Sequence, residues 1–418
     1  MAYALTEGRE VINPRPLDYA DVFRLHGPYS IGFLSYSEGC NDDLNKMLWS
    51  AVAWDPERPV IEILRDYSNY FVSARLRDDL AQGVLSLEGN WKGPLLANAN
   101  VETTLAQFQD MESSATPEEL EDWRFQMMLY RAYYDAFVSG LSMGVRPNQI
   151  DVGSSASAPD SGIELGILLD QAEKYLNGPL THPPAQDLRT RILELGEALF
   201  QSIHMQLAVE RYQAEAVTRA ANLDTLDVPL NNAQWLKQQF AEIRKLPSYD
   251  ARYKAIEGIL LRTDPGPGGF YDNLGDLSHQ PHLVRGLGFK RDPEFRQSSL
   301  VGHGYPEWSR MPIPMAWKCW AGSLFDAPLK MQYSRLDPAA EYKIRVVYSG
   351  DRSKIRLDSS GGFQIHPLMP KPMLKPLEFD IPAAATRGGD LTLIWHRELG
   401  LGHNGRGCQV AEVWLMKK

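Results

Sequence analysis

Cysteine is scarce in this chain. Three in 418 residues, Cys40, Cys319 and Cys408, provide no disulfide framework, and they lack metal-ligand spacing. Long apolar runs are missing too. No stretch reaches the roughly 18 residues that a membrane-spanning helix needs. The opening MAYALTEGREVINPRP has no basic start followed by an apolar segment, so it is not a secretory signal, and a cytoplasmic location is the default. Basic charge is in deficit: 43 Lys and Arg face 53 Asp and Glu, a formal net charge of -10, which argues against a nucleic-acid surface. No GxSxG nucleophile elbow, phosphate-binding loop or dinucleotide fingerprint occurs, so no cofactor is expected.

Apolar residues are plentiful. They make up 44% of the chain, enough for cores in two or three domains. Trp (10), Tyr (18) and Phe (14) fit packed cores and interfaces first, and sugar-stacking surfaces second. Residues 1–30, with Pro14, Pro16 and Pro28, read as an irregular lead-in, and residues 31–36 as a short buried strand. Helical spacing follows. Leu44, Met47, Leu48, Ala51 and Val52 line one face, and a second helix begins near Pro59. Residues 83–102 read as a surface loop around Trp91. Thr116-Pro117-Glu118-Glu119 is a capping-box helix start. The aromatic-rich helix after it reaches about Leu141, and 185–220 is the longest helix candidate.

At Asp264 the pattern changes. DPGPGGFYDNLGD cannot continue a helix. Beyond it Tyr342, Ile344, Val346 and Tyr348 alternate, as do Leu391, Leu393 and Trp395, and then Val413 and Leu415. The fold class expected is therefore multidomain alpha and beta, a mainly helical N-terminal region followed by an antiparallel beta-sandwich. The divisions fall at 1–30, 31–263, 264–320 (linking loops) and 321–418.

Four places can carry chemistry. Glu38, Asn41, Asp42 and Asp43 sit between the short apolar run and a helix, where enzymes place polar groups at the end of a barrel strand. Glu38 with Asp42 or Asp43 can span the roughly 5–9.5 Å between the two carboxylates of a glycosidase. Capping the helix and binding substrate through Asn41 are the other readings of this cluster. Trp91, between Gly89 and Gly93 and near Glu88, Asn90 and Lys92, can stack on a pyranose or plug a loop. Asp264, Tyr271, Asp272 and Asn273 precede His279, His282 and His303. The spacing of the first two histidines suits metal ligands, but polar loop residues are the simpler reading, and no metal is expected. Among the glycines of 400–407, His403, Asn404 and Arg406 suit a binding rim, and Arg406 equally suits an ion pair with Glu398 or Glu412.

The segment WSAVAWDPERPVIEILRDYSNYFV, residues 49–72, resembles the region after the catalytic barrel in alpha-glucuronidases and alpha-N-acetylglucosaminidases. The chain as a whole is similar to the C-terminal half of large bacterial glycoside-hydrolase-like proteins, through YSEGCNDD, GNWKGPL, DPGPGGFYDNLG and NGRGCQVAEVW in that order. The resemblance implies a carbohydrate-active protein that shapes a sugar pocket, with a carbohydrate ligand and a catalytic barrel polypeptide as partner. In such enzymes a barrel precedes the position of Ile31, so the chain is expected to be a fragment, a split product or a subunit. The catalytic reading predicts an exposed aromatic beside Glu38 and Asp42 and an apolar docking surface. A non-catalytic binding or interaction module predicts a groove on the sandwich near Trp395 and His403.

Overall fold

The computed structural model describes residues 12–34, 42–90, 92, 98–143, 162–181, 183–217, 219–228, 230–276, 279–287, 291, 299–303, 311–350, 352–372, 374–400 and 406–418. Twelve α-helices lie among these residues. They are α1 (Pro16–His26), α2 (Asp43–Trp54), α3 (Val60–Phe71), α4 (Arg77–Gly89), α5 (Asn100–Ser114), α6 (Pro117–Glu121), α7 (Trp123–Met143), α8 (Gly162–Thr181), α9 (Pro183–Ile203), α10 (Val209–Tyr212), α11 (Ala233–Lys245) and α12 (Tyr249–Leu260). Ten strands follow, and the expected order of helical region then antiparallel sandwich holds. The chain divides into two compact units. One holds α1–α7, most of α8, α9 and α10; the other holds nearly all of α11, then α12 and the strands.

The helical unit is organised around α7. Phe125, Met128, Leu129, Tyr130, Tyr133, Tyr134 and Phe137 are all buried, so this helix has neighbours on every side. Two charged residues lie inside it. Arg131 and Asp135 pair at 2.7 Å, and Arg131 also donates to the Ile12 carbonyl. Asp135 accepts from Asn90 Nδ2 at 2.8 Å, and Asn90 Oδ1 accepts from Asn100 and Thr104. Buried polar groups are tolerated when partnered in this way.

Helix α1 occupies part of what reads in the sequence as an irregular lead-in. Pro16 stands in its first turn, where a missing N–H costs nothing. Its free N–H groups at Leu17 and Asp18 are taken by Glu88 of α4, at 2.7 and 2.9 Å. Ile12 and Ala20 join the core. Residues 31–34 belong to no strand among the described residues, and Ile31 and Leu34 are fully exposed rather than buried. The capping box at Thr116 and Glu119 forms, but its helix stops at Glu121 and α7 starts anew after Asp122. The expected loop at 83–102 is helical as far as Gly89 and again from Asn100. The long helix of 185–220 ends at Ile203, where His204 takes a left-handed φ of 55°.

The strands are β1 (Phe270–Asn273), β2 (Ser299–His303), β3 (Cys319–Leu324), β4 (Leu329–Tyr333), β5 (Tyr342–Tyr348), β6 (Lys354–Ser359), β7 (Gln364–Pro370), β8 (Pro376–Ile381), β9 (Leu391–Arg397) and β10 (Arg406–Lys417). One sheet has the order β2-β3-β10-β5-β8, with β1 also paired to β10; the other is β4-β9-β6-β7. All pairings are antiparallel. The alternating residues of β5 and β9 face a shared core with Val410, Val413 and Leu415. Two of the strands, β1 and β2, fall within 264–320. Gly269 passes so close to β10 that a Cβ there would sit 2.7 Å from the Leu415 carbonyl oxygen.

A buried charge ties α12 to this sheet. Glu412, fully buried on β10, accepts from Arg262 at 2.8–3.0 Å, from Trp317 Nε1 at 2.6 Å and from the Tyr271 hydroxyl. Burial raises its pKa even so, against the pull of Arg262.

Candidate functional site

The acidic start of α2 lies where three helix ends meet. Asp42 is the residue before the helix, but its side chain makes no capping bond. Asp43, in the first turn, reaches across to α3 and α7. Its Oδ2 accepts from the Tyr67 hydroxyl at 2.8 Å and from Arg124 Nε at 2.8 Å, and its Oδ1 from Arg124 Nη2 at 3.4 Å. The Arg124 guanidinium rests against Trp123 at 4.1 Å and Phe71 at 4.3 Å. Burial works against its charge, and Asp43 more than compensates, so its pKa is raised. Burial, then Asp43, pushes the Tyr67 phenol up, which keeps it a donor. Asp43 is therefore a pin between three helices, and acid/base work by it would cost the Arg124 contact.

Asp122 stands beside this pair. Its Oδ1 accepts from the backbone N–H groups of Arg124 and Phe125 at 2.9 and 3.0 Å, capping α7. Burial raises its pKa against those bonds, and Asp43 adds to the rise. Tyr67, Asp122 and Arg124 were not singled out by the sequence. Asp122 had a signal, an Asp three residues before Phe125 at a helix start; Arg124 and Tyr67 had none, because their partner is distant in the chain.

Asp42 lies on the other side of the helix start. The Tyr19 phenol is raised first by burial and then by Asp42. Tyr19, Phe23, Phe33 and Trp49 form an edge-to-face cluster with centroids 5.4–6.1 Å apart. Phe33 is half-exposed, and Tyr29, Ile31, Leu34 and Trp54 are strongly exposed. Glu38 and Asn41 lie outside the described residues, so the pair of carboxylates expected from the sequence is represented by Asp42 and Asp43 alone.

Trp91 also lies outside the described residues. Its neighbours have structural work: Glu88 caps α1, Lys92 bridges Asp18 and Glu88 at 3.1 and 3.0 Å, and Asn90 belongs to the network of Asp135. In the sandwich unit His403 and Asn404 are outside the described residues, and of Arg406 only the backbone, at the start of β10, is described. The two carboxylates expected to pair with Arg406 each hold another cation. Glu412 holds Arg262, and Glu398 holds Lys354 at 3.2 Å. Trp395 faces the core and donates to the buried Tyr348 hydroxyl, so it lines no groove. Of the third candidate group, Asp272 and His282 come together at 2.8 Å, with Tyr333 donating to the other Asp272 oxygen. Among the described residues no three His, Cys, Asp or Glu side chains gather as a metal-ligand set. No described helix is long and apolar enough to cross a membrane.

No family model and no curated protein matches the chain. Among solved structures, it has a weak likeness to two of exo-beta-1,3-galactanase from Phanerochaete chrysosporium with beta-1,3-galactotriose. Identity is 11% in both, with TM-scores of 0.21 and 0.18, covering 35% and 28% of this chain and 29% and 26% of those. A third is a family GH115 4-O-methyl-alpha-glucuronidase with specificity for decorated arabinogalactans, at 10% identity and TM-score 0.22, covering 89% of this chain and 44% of that one. The chain thus spans less than half the length of each. Likenesses this weak assign the chain neither a family nor a role.

Proposed function

We propose that this chain is a carbohydrate-active protein, the portion of a glycoside hydrolase that shapes a sugar pocket and works beside a catalytic barrel polypeptide. The observation that carries this reading is the end of the helical unit at α2. There Asp42 adjoins an aromatic cluster, and the segment 29–34 beside it exposes Tyr29, Ile31, Phe33 and Leu34 together. Four large apolar side chains in six residues, open to water, mark a surface made to be covered. The alternative is a non-catalytic carbohydrate-binding or interaction module, in which the sandwich near His403 would carry the ligand and Trp395, being interior, would not touch it.

The test is hydrolysis of an aryl-glycoside panel by the purified chain, alone and mixed with the polypeptide encoded immediately upstream. Turnover by the mixture, lost in Glu38→Gln or Asp42→Asn with helical content intact, is the expected result. A folded chain that neither binds a glycan nor supports turnover in any combination overturns the proposal.

A further inference from the structure

From the bonding around Arg124 we infer that the meeting point of α2, α3 and α7 is a subsite for an uncharged pyranose. Tyr70 and Trp123 supply its ring faces, and Asp122 and Arg124 its hydroxyl contacts. This rests on the carbohydrate reading above and names residues and a ligand class that reading leaves open. A pyranose has an apolar C–H face and a rim of hydroxyls that are donors and acceptors at once. The protein surface that matches it places aromatic rings beside convergent polar groups.

Both halves are present. Tyr70 is 80% exposed on the last turn of α3, with its ring edge-on to Phe71 at 4.7 Å. Phe71 in turn lies against the Arg124 guanidinium, which also contacts the half-buried Trp123. The polar half follows from counting bonds. Arg124 spends Nε and Nη2 on Asp43, and no described residue takes its Nη1. Asp122 spends Oδ1 on two backbone N–H groups, and no described residue donates to its Oδ2. A donor and an acceptor two residues apart at one helix start match neighbouring sugar hydroxyls.

The groups are also held in advance. Asp43, itself held by the Tyr67 hydroxyl, fixes Arg124, and the cap bonds fix Asp122, so little ordering remains when a ligand arrives. Charge selects the ligand. Asp43 and Asp122 share the single positive charge of Arg124, so two carboxylates face one guanidinium and an acidic sugar would meet net negative charge.

The experiment is saturation-transfer NMR on the full chain with the methyl pyranosides of glucose, galactose and xylose, and with methyl glucuronoside as the anionic control. At least one neutral glycoside is expected to bind, and the glucuronoside more weakly. Tyr70→Ala, at a site exposed enough to leave folding intact, should weaken binding about tenfold, equal to ~1.4 kcal/mol. Asp122→Asn keeps a capping side chain and should weaken it about threefold or more. Neutral-sugar binding at full strength in both variants overturns the subsite while leaving the carbohydrate reading in place. Absence of binding to every glycoside by the folded chain overturns both. A preference for the glucuronoside overturns the charge assignment.

Discussion

Glu412 offers the sharpest test of how the second unit is held together. In Glu412→Ala the Arg262 guanidinium, the Tyr271 hydroxyl and Trp317 Nε1 lose their common acceptor at a fully buried position. The rings of Trp235 and Trp414, 5.6 and 5.9 Å away, would remain near the Arg262 charge. Removing one partner of a buried pair costs roughly 3–5 kcal/mol. For a unit of this size that lowers the unfolding midpoint by about 6–20 °C. Glu412→Gln should behave differently. Burial, the largest influence, raises the Glu412 pKa above its ordinary value of 4.5. A raised acid contributes stability that is present below about 4.5 and lost as pH rises through the folded-state pKa. The neutral Gln keeps two acceptor lone pairs and avoids the buried charge, so its deficit against wild type should shrink as pH rises from 4 to 7. The assay is urea unfolding followed by Trp fluorescence, with Trp317 and Trp414 as local reporters. A Gln variant as unstable as the Ala variant at neutral pH would refute the view that burial outweighs the ion pair.

Two pH predictions follow from other buried groups. Arg75, the main cause, with the capping-box backbone bond, lowers the Glu119 pKa to about 2, so its contribution is present above about 4.5 and lost as pH falls through about 2. Glu119→Gln retains the box and should flatten the acid limb of helical-unit unfolding over that interval; an unchanged limb would count against the Arg75 attribution. His366 is buried with Nδ1–H donating to the Pro367 carbonyl and Nε2 accepting from the Tyr348 hydroxyl at 2.6 Å, and burial lowers its pKa. Its contribution is present above about 6.5 and lost as pH falls toward the lowered value. Stability of the sandwich should therefore drop between pH 7 and 5 in wild type and hold steadier in His366→Gln, as read by thermal midpoints.

What the sequence made legible was local. The two-residue repeat of Tyr342, Ile344, Val346 and Tyr348 lies on β5, and the box at Thr116 and Glu119 forms. Helix α1 escaped notice because three prolines looked like breakers, whereas Pro16 opens the helix and the Glu88 cap comes from far along the chain. The acidic cluster was visible as Asp42 and Asp43, but what restrains Asp43 was not, since Arg124 lies 81 residues later. The same holds for Glu412, whose cation Arg262 lies at a separation of 150 residues. No spacing rule connects such pairs; only packing does.

Strand β10 sits between β3 and β5 and also carries β1, yet it follows all of them in the chain. During synthesis each of those strands must therefore wait for a partner that has not been made. Before residues 406–417 arrive, β5 can pair with β8 and β2 with β3, but the two halves of this sheet have nothing to join them. Closure of that sheet is thus a late event, and the interval before it is when the unjoined edges of β3 and β5 are most open to chaperones and to aggregation.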